Sequence, residues 1–296
     1  MYDYSIPETN IDYVVNVDKI GNPSGIVSGT TKITRDPVGL VMADYAAKVI
    51  KASSLLKDGF SFQTGAGGAS LAAAKYLKDI MLAEKITGSY CMGGITGYMV
   101  DMLNCGCFES LMDVQCFDLD AVNSLRTNPK HKEVSAEHYA SPDVKSNLVN
   151  SLDVVILGAT EIDTDFNVNV HTDSSGCIMG GSGGHSDAAA GAKLTMIIAP
   201  LVRARVSVIT DRVTCISTPG NTVDVLVTQR GIAINPLRTE LRDRLKDAGL
   251  PVVDIFDLKK KADSICGEAK IERAKEKVIA NVLYRDASLI DTIRMI

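Results

Sequence analysis

Residues Gly180-Gly181-Ser182-Gly183-Gly184-His185-Ser186-Asp187 put four glycines, two serines, a histidine and an aspartate into eight consecutive positions. Three uses fit such a string. The spacing G-x-S-x-G is that of the nucleophile elbow of serine hydrolases, where a strand-to-helix turn presents a serine to a base. Glycines also lack a Cβ, so their backbone N–H groups can approach an anion or a developing oxyanion closely. The third use is a tight structural turn. The hydrolase order of serine, acid and then histidine fails downstream of Ser182: only His185 follows it, while His131, His138 and His171 all precede it. An esterase using Ser182 is therefore the rival reading and not the preferred one.

Two further glycine clusters are Gly65-Ala66-Gly67-Gly68 and Gly93-Gly94-Ile95-Thr96-Gly97. The first, continued by Ala69-Ser70, has Ser in the third small position of a dinucleotide fingerprint. It also has no acidic residue at the end of a clear second strand about twenty residues on. No G-x-x-x-x-G-K-[ST] occurs. What survives is a set of glycine turns at strand ends, where open α/β sheets bind ligands. The pairs Asp118/Asp120 and Asp163/Asp165 read as turn caps or solvated residues. Arg126 and Lys130-His131-Lys132 form a basic cluster, usually a solvated face but able to meet a polycarboxylate.

The elements that must hold these loops follow from patterning. The chain has 296 residues, 46% hydrophobic and 23% charged, enough apolar material for one large core. A net charge of −5 and the absence of Trp argue against a nucleic-acid or anionic-membrane surface. Met1-Tyr2-Asp3-Tyr4 has neither the basic nor the apolar region of a secretory signal, and Leu194 to Val202 is too short to span a bilayer. Seven cysteines, none in a C-x-x-C pair, read as reduced thiols of a cytoplasmic protein with no metal site.

Residues 1–35, rich in Gly, Pro, Asn and Thr, read as an N-terminal arm, and residues 36–296 as one domain. Asp36-Pro37 signals a helix start, with Leu40, Val41, Ala47, Ile50 and Leu55 on its apolar face and Gly59 as its stop. Phe60 to Phe62 reads as a strand and Ala69 to Leu82 as a helix. Leu152 to Leu157, Thr195 to Ala199, Val206 to Thr210 and Val223 to Thr228 read as strands buried on both faces. Thr239 to Gly249 and Leu258 to Ile265 read as helices, and Lys277 to Ile296 as a hairpin turning near Arg285-Asp286. Alternation of this kind predicts an α/β fold, an open and mainly parallel sheet flanked by helices.

Several long strings, among them GFSFQTGAGGASLAAAKYL, GGITGYMVDML, LGATEIDTDFNVNVHTDSSG, GGSGGHSDAAAGAKLTMIIAPL and TVDVLVTQRGIAINPLR, resemble the citrate lyase alpha chain. The similarity runs from about Asp12 to the C-terminus. It implies a coenzyme A-transferase-like fold, of which this chain resembles the second of two tandem domains. It also implies an acyl transferase that exchanges the acetyl thioester of an acyl carrier protein for citryl, through an anhydride and without a covalent enzyme intermediate. Related transferases carry a glutamate where Ser89-Tyr90-Cys91-Met92-Gly93-Gly94 offers no carboxylate.

The implied site is made of donors: Gly93, Gly94, Gly183, Gly184 and His185 about the reacting group, and Gly65, Gly67, Gly68, Gly180 and Gly181 about the cofactor. Citrate has three carboxylates and needs cations, for which Arg230 and Arg126 are the candidates. The implied cofactor is a carrier-protein prosthetic group resembling phosphoribosyl-dephospho-CoA, with acetyl-CoA as a surrogate and no metal. The implied partners are the acetyl carrier protein (gamma subunit), the citryl lyase (beta subunit), and an N-terminal alpha half or a second copy of this chain. A non-catalytic scaffold of that complex is the remaining alternative.

Overall fold

A computed structural model describes residues 8–22, 31–267 and 277–295. In chain order it begins with α1 (Pro37–Ala52), β1 (Ser61–Thr64), α2 (Gly68–Glu84), β2 (Gly88–Ile95), α3 (Gly97–Asn104) and β3 (Phe108–Cys116). There follow α4 (Leu119–Thr127), β4 (His131–Glu133), α5 (Ala136–Ala140), β5 (Val154–Leu157), β6 (Glu161–Asp163) and β7 (Val168–Asn169). Next come α6 (His185–Gly191), β8 (Leu194–Ile198), β9 (Val202–Arg203), β10 (Val206–Ser207) and β11 (Ile209–Thr210). The last elements are β12 (Val225–Thr228), β13 (Gly231–Ile234), α7 (Thr239–Asp247), α8 (Ile255–Cys266), β14 (Val278–Leu283) and β15 (Leu289–Arg294).

Eight strands form the main sheet in the order β13-β12-β8-β5-β1-β2-β3-β4. Every neighbouring pair is parallel except the β12–β13 hairpin at one edge. This is the open α/β sheet expected of a coenzyme A-transferase-like chain. Strand residues alternate between two cores, as a period of two requires when helices cover both faces. Val154 and Ile156 of β5 face a core built with α1, α2 and α3, which contribute Ile50, Leu77 and Met102. Val155 and Leu157 face the other, built with α6 and α8, where Ala188 and Leu258 pack.

The start of α1 is as read: Asp36 accepts from the Gly39 N–H at 3.1 Å, and Pro37 fills the first turn. Its end is not. The helix stops at Ala52, seven residues before Gly59, because the Ser53 N–H turns back to Val49 and Ile50 and Ser54 adopts φ 68°. Val206 to Thr210 is also corrected. It splits into β10, which pairs with β9, and β11, which joins a separate sheet β11-β6-β7. The C-terminal hairpin stands as β14–β15, with Ile296 outside the described residues. Residues 8–22 are exposed throughout, whereas the Thr34 N–H is bound to the Gly68 carbonyl; residues 1–7 and 23–30 of the arm lie outside the described ones. Among the described residues no helix is long and apolar enough to cross a membrane.

Candidate active site

Parallel strands send all their carboxyl ends to one edge, so loops far apart in sequence meet there. Gly65 leaves β1 with its N–H on the Ile156 carbonyl of β5, 3.1 Å away, and Gly67 caps α2 without a side-chain partner. At the end of β2, the Gly97 N–H donates to Asp118 Oδ2 at 2.8 Å, while Asp118 Oδ1 caps α4 through Ala121. Asp118 thus fills a capping role. A cleft of about 1290 Å³ lies between residues 31–35, α2 and the turn at Gly97 and Asp118, with Lys32, Arg35 and Lys75 on its wall beside Tyr76 and Tyr98.

On the other side of β1, the edge is organised by three successive residues after β5. The Gly158 carbonyl accepts from His185 Nε2 at 2.9 Å, and the Ala159 carbonyl accepts from Arg203 Nη1 at 3.0 Å. The Thr160 N–H and hydroxyl both donate to the Asn169 carbonyl, two residues before His171. Because a carbonyl can only accept, His185 carries its proton on Nε2, and its Nδ1 accepts from the Thr218 hydroxyl at 2.7 Å. Both ring nitrogens are committed. Protein atoms crowd the imidazole, and this burial pulls its pKa down to about 4, so it is uncharged near neutrality.

His171 is held differently. Its backbone N–H and that of Thr172 bind Asn169 Oδ1, and Asn169 Nδ2 in turn binds the fully buried Glu161 carboxylate. Ser217 Oγ accepts the N–H groups of Val170 and His171, which leaves its hydroxyl proton for His171 Nδ1, 2.7 Å away. Neutral His171 therefore carries its proton on Nε2, which has no partner among the described residues. Burial lowers its pKa too. The Met179 N–H donates to the His171 carbonyl at 2.8 Å, so the glycine loop runs from the one histidine to the other.

The ten glycine and histidine positions expected at a site divide clearly. Gly65, Gly67 and Gly68 lie at the end of β1, and Gly180 to Gly184 with His185 lie beyond β5. A side-chain Cβ at Gly180, Gly181 or Gly183 would meet nothing within 4 Å. Gly93 and Gly94 lie inside β2 at a register shift against β3, and Gly94 abuts the Phe117 ring. Gly184 is packed as well, with Tyr139 Cε1 2.5 Å from where a Cβ would stand. His185 does not cap its own helix, since Gly184 is the N-cap and the imidazole reaches Thr218 and Gly158.

The two expected cations stand apart. Arg230 is exposed in the turn joining β12 to β13, at the same edge of the sheet. Arg126 lies in the last turn of α4, where the chain has left that edge, and binds Asn123 Oδ1. Its neighbour His131 is not solvated: it is buried between Ser124 Oγ and Asp113 Oδ2, each 3.0 Å away. His171 and Arg203, which also stand at this edge, were not singled out by the sequence. The signal for His171 was weak, a single histidine beyond the buried Asn169; Arg203 looked like any surface arginine.

Around the glycine loop the described residues offer donors and no activated serine. Ser182 Oγ has one long contact, 3.5 Å to the Gly183 carbonyl, and His185 has no free nitrogen to serve it as a base. Burial pushes the thiols of Cys91 and Cys116 up to about 12, which keeps them protonated. Among the described residues no three His, Cys, Asp or Glu side chains are grouped to hold a metal ion.

Residues 2–296 match the family model of the citrate lyase alpha subunit, CitF. The chain belongs to this family. It is 48% identical over 295 residues to the citrate lyase alpha chain of Klebsiella pneumoniae, covering all of this chain and 58% of that one. It is 46% identical over 292 residues to the Escherichia coli alpha chain, covering 99% and 57%. The chain thus spans a little under three fifths of its curated relatives. Among solved structures it is similar to the citrate lyase alpha subunit of Streptococcus mutans in complex with citrate. There the TM-score is 0.93 and the identity 47%, covering 98% of this chain and 57% of that one.

Proposed function

We propose that this chain carries the second half of a citrate lyase alpha subunit and contributes one wall of its citrate:acetyl-carrier transferase site. The observation that carries the reading is the open glycine loop strung between two uncharged histidines at the carboxyl edge of the sheet. Family membership supplies the reaction class, and the citrate held by the Streptococcus mutans relative supports citrate as the acyl acceptor. The backbone N–H groups of Gly180, Gly181 and Gly183 stabilise the oxyanion that develops when a carboxylate attacks a thioester. His185 keeps that loop in place from below, and Arg230 adds positive charge at the rim. A site that works by position and charge needs no protein nucleophile, which agrees with the committed nitrogens of His185.

The carrier's prosthetic group would supply the thiol that bears the acyl group. The cleft between residues 31–35, α2 and the Gly97 turn fits a long anionic group of this kind. It is large, three cationic side chains line it, and Tyr76 and Tyr98 offer flat apolar surfaces. Lys32, Arg35 and Lys75 would hold its phosphates by charge-assisted hydrogen bonds. The rest of the site comes from an N-terminal half or a second copy of the chain, and the assembly with the carrier and the lyase subunit works in the cytoplasm.

The test is reconstitution. The chain is combined with the missing half and acetylated carrier protein, and the intact mass of the carrier is followed. A citrate-dependent change from acetyl to citryl carrier is expected. An assembly that forms but never exchanges the acetyl group would make the chain a scaffold and end the transferase reading. Rapid ester hydrolysis abolished by Ser182→Ala would instead favour the esterase.

A further inference from the structure

The β9–β10 hairpin brings a cation to this edge with no anion to balance it. Arg203 donates through Nη1 to the Ala159 carbonyl and pairs with no carboxylate among the described residues. Arg203 is an exposed residue whose guanidinium is partly covered by protein, and that partial burial alone shifts its pKa, downward. Among the described residues three other arginines are neutralised by carboxylates. Arg238 and Arg285, for example, are bound to Asp224 and Asp187.

The position of Arg203 is fixed by the backbone. Arg203 pairs with Val206 and Val202 with Ser207, so Ala204 and Arg205 are the two residues of the turn. Both have positive φ, 49° and 69°. Two-residue hairpins require this conformation and usually fill it with Asn and Gly, so Ala-Arg holds it under strain. Retained strain of this kind is often found where a side chain must be aimed. On the facing loop, Gly158, Ala159 and Thr160 bind in turn His185, Arg203 and the strand leading to His171. The guanidinium and the His185 imidazole thus bind adjacent carbonyls of one loop, and the next residue, Thr160, ties that loop to the strand leading to His171.

We propose that Arg203 binds one carboxylate of a polycarboxylate substrate, with His171 Nε2–H as the accompanying neutral donor. The inference rests on the transferase reading and names the residues that recognise its acceptor. A planar guanidinium suits a carboxylate because two of its N–H groups can bind the two oxygens together. An uncharged histidine beside it adds a hydrogen bond without adding repulsion between cations. Arg126, in the last turn of α4, does not share this loop system.

The test uses the chain in its native assembly, with Arg203→Gln, Arg203→Lys and His171→Gln. Citrate binding is read by titration calorimetry, and the KM values for citrate and for the acyl thioester are read separately. Arg203→Gln should weaken citrate at least tenfold and leave the thioester KM within twofold. Arg203→Lys, which keeps the charge but loses the planar fork, should weaken citrate at least threefold, and His171→Gln at least threefold. Equal citrate affinity in both Arg203 variants and the wild type overturns the assignment, even if transfer is active. If Arg203→Gln does not fold, the Arg203→Lys result decides. A wild-type assembly that transfers no acyl group and binds no citrate overturns the transferase reading and this inference together.

Discussion

Gly93-Gly94 and Gly180-Gly181 look alike in sequence and differ in why they are glycine. At Gly94 the space is already occupied by the Phe117 ring, and Gly93 has φ 99° with Gln63 about 3.0 Å from where a Cβ would be. At Gly180 and Gly181 a Cβ would meet nothing. The first pair is glycine because the protein fills the space, whereas the second leaves the space open. A residue kept small beside empty space is the better candidate for a surface that meets a ligand. The two regions also differ in what holds them. Packing holds the first, while the second runs from the His171 carbonyl to the anchored His185 imidazole.

The largest expected difference is a response to acid confined to the second region. The folded pKa of His185, about 4, lies below the ordinary value of 6.5, so the unfolded chain binds the extra proton between these pH values. Stability from this group is therefore complete above about pH 6.5 and is lost as pH falls toward 4. At about 1.36 kcal/mol per unit, the loss approaches roughly 3 kcal/mol. His171 acts in the same direction. Asp163, Asp187 and Asp224, raised chiefly by burial, act in the opposite direction as they protonate, so the wild type alone does not isolate the histidine. The check is denaturant unfolding at pH 7 and pH 4.5 for wild type and His185→Gln. The variant should lose most of the slope, and equal slopes would show that His185 is not the anchor.

The next effect belongs to the packed pair. Gly94→Ala forces the Phe117 ring or β2 to move and should cost about 2 kcal/mol, within the usual 1–3 kcal/mol for overpacking. The denaturation midpoint should fall, while citrate affinity of the folded protein stays unchanged. A large loss of citrate affinity at constant stability would move the pair from packing to binding.

Smaller still is the contrast between two arginines. Arg230→Ala, at the carboxyl edge, should lower kcat/KM for citrate by about tenfold, near the 1.5 kcal/mol lower bound for a hydrogen bond to a charged group. Arg126→Ala, beside Asn123 on α4, should change it less than twofold. The reverse order would place the acceptor site over the β3–β4 end of the sheet.

The sequence was most legible where burial sets the pattern. Val154 to Leu157 is buried along its whole length, and a short apolar run is the expected mark of such a strand. It was least legible where one residue serves distant partners. β2 and β3 carry glycines, an aspartate and glutamine within Gly88–Ile95 and Phe108–Cys116, which dilute the apolar signal although the strands pair along most of their length. The site divides the same way. The glycine loop and His185 were visible as a string, because they are neighbours in sequence. Thr218, 33 residues from His185, and Ala159, 44 residues from Arg203, meet these side chains only through the sheet topology. No local spacing records such a meeting.

The smallest stability change separates the two glycine pairs most sharply. Gly181 has open space around it and is not among the glycines held at positive φ. Gly181→Ala should therefore be tolerated, and by restricting the unfolded chain it should stabilise the protein by about 0.4–1 kcal/mol. Its added methyl group would nevertheless occupy the space through which a carboxylate or thioester oxygen reaches the backbone N–H groups. The expected result is a protein that melts at the same or a slightly higher temperature and transfers acyl groups at least tenfold more slowly. Gly183→Ala does not make the same test, because φ 53° strains an alanine and mixes a folding cost into the result. If Gly181→Ala is fully active as well as stable, the loop is a turn and the oxyanion must be held elsewhere, with the amides after Gly67 the next to examine. If it is both unstable and inactive, Gly181 is packed like Gly94, and the distinction between the two pairs fails.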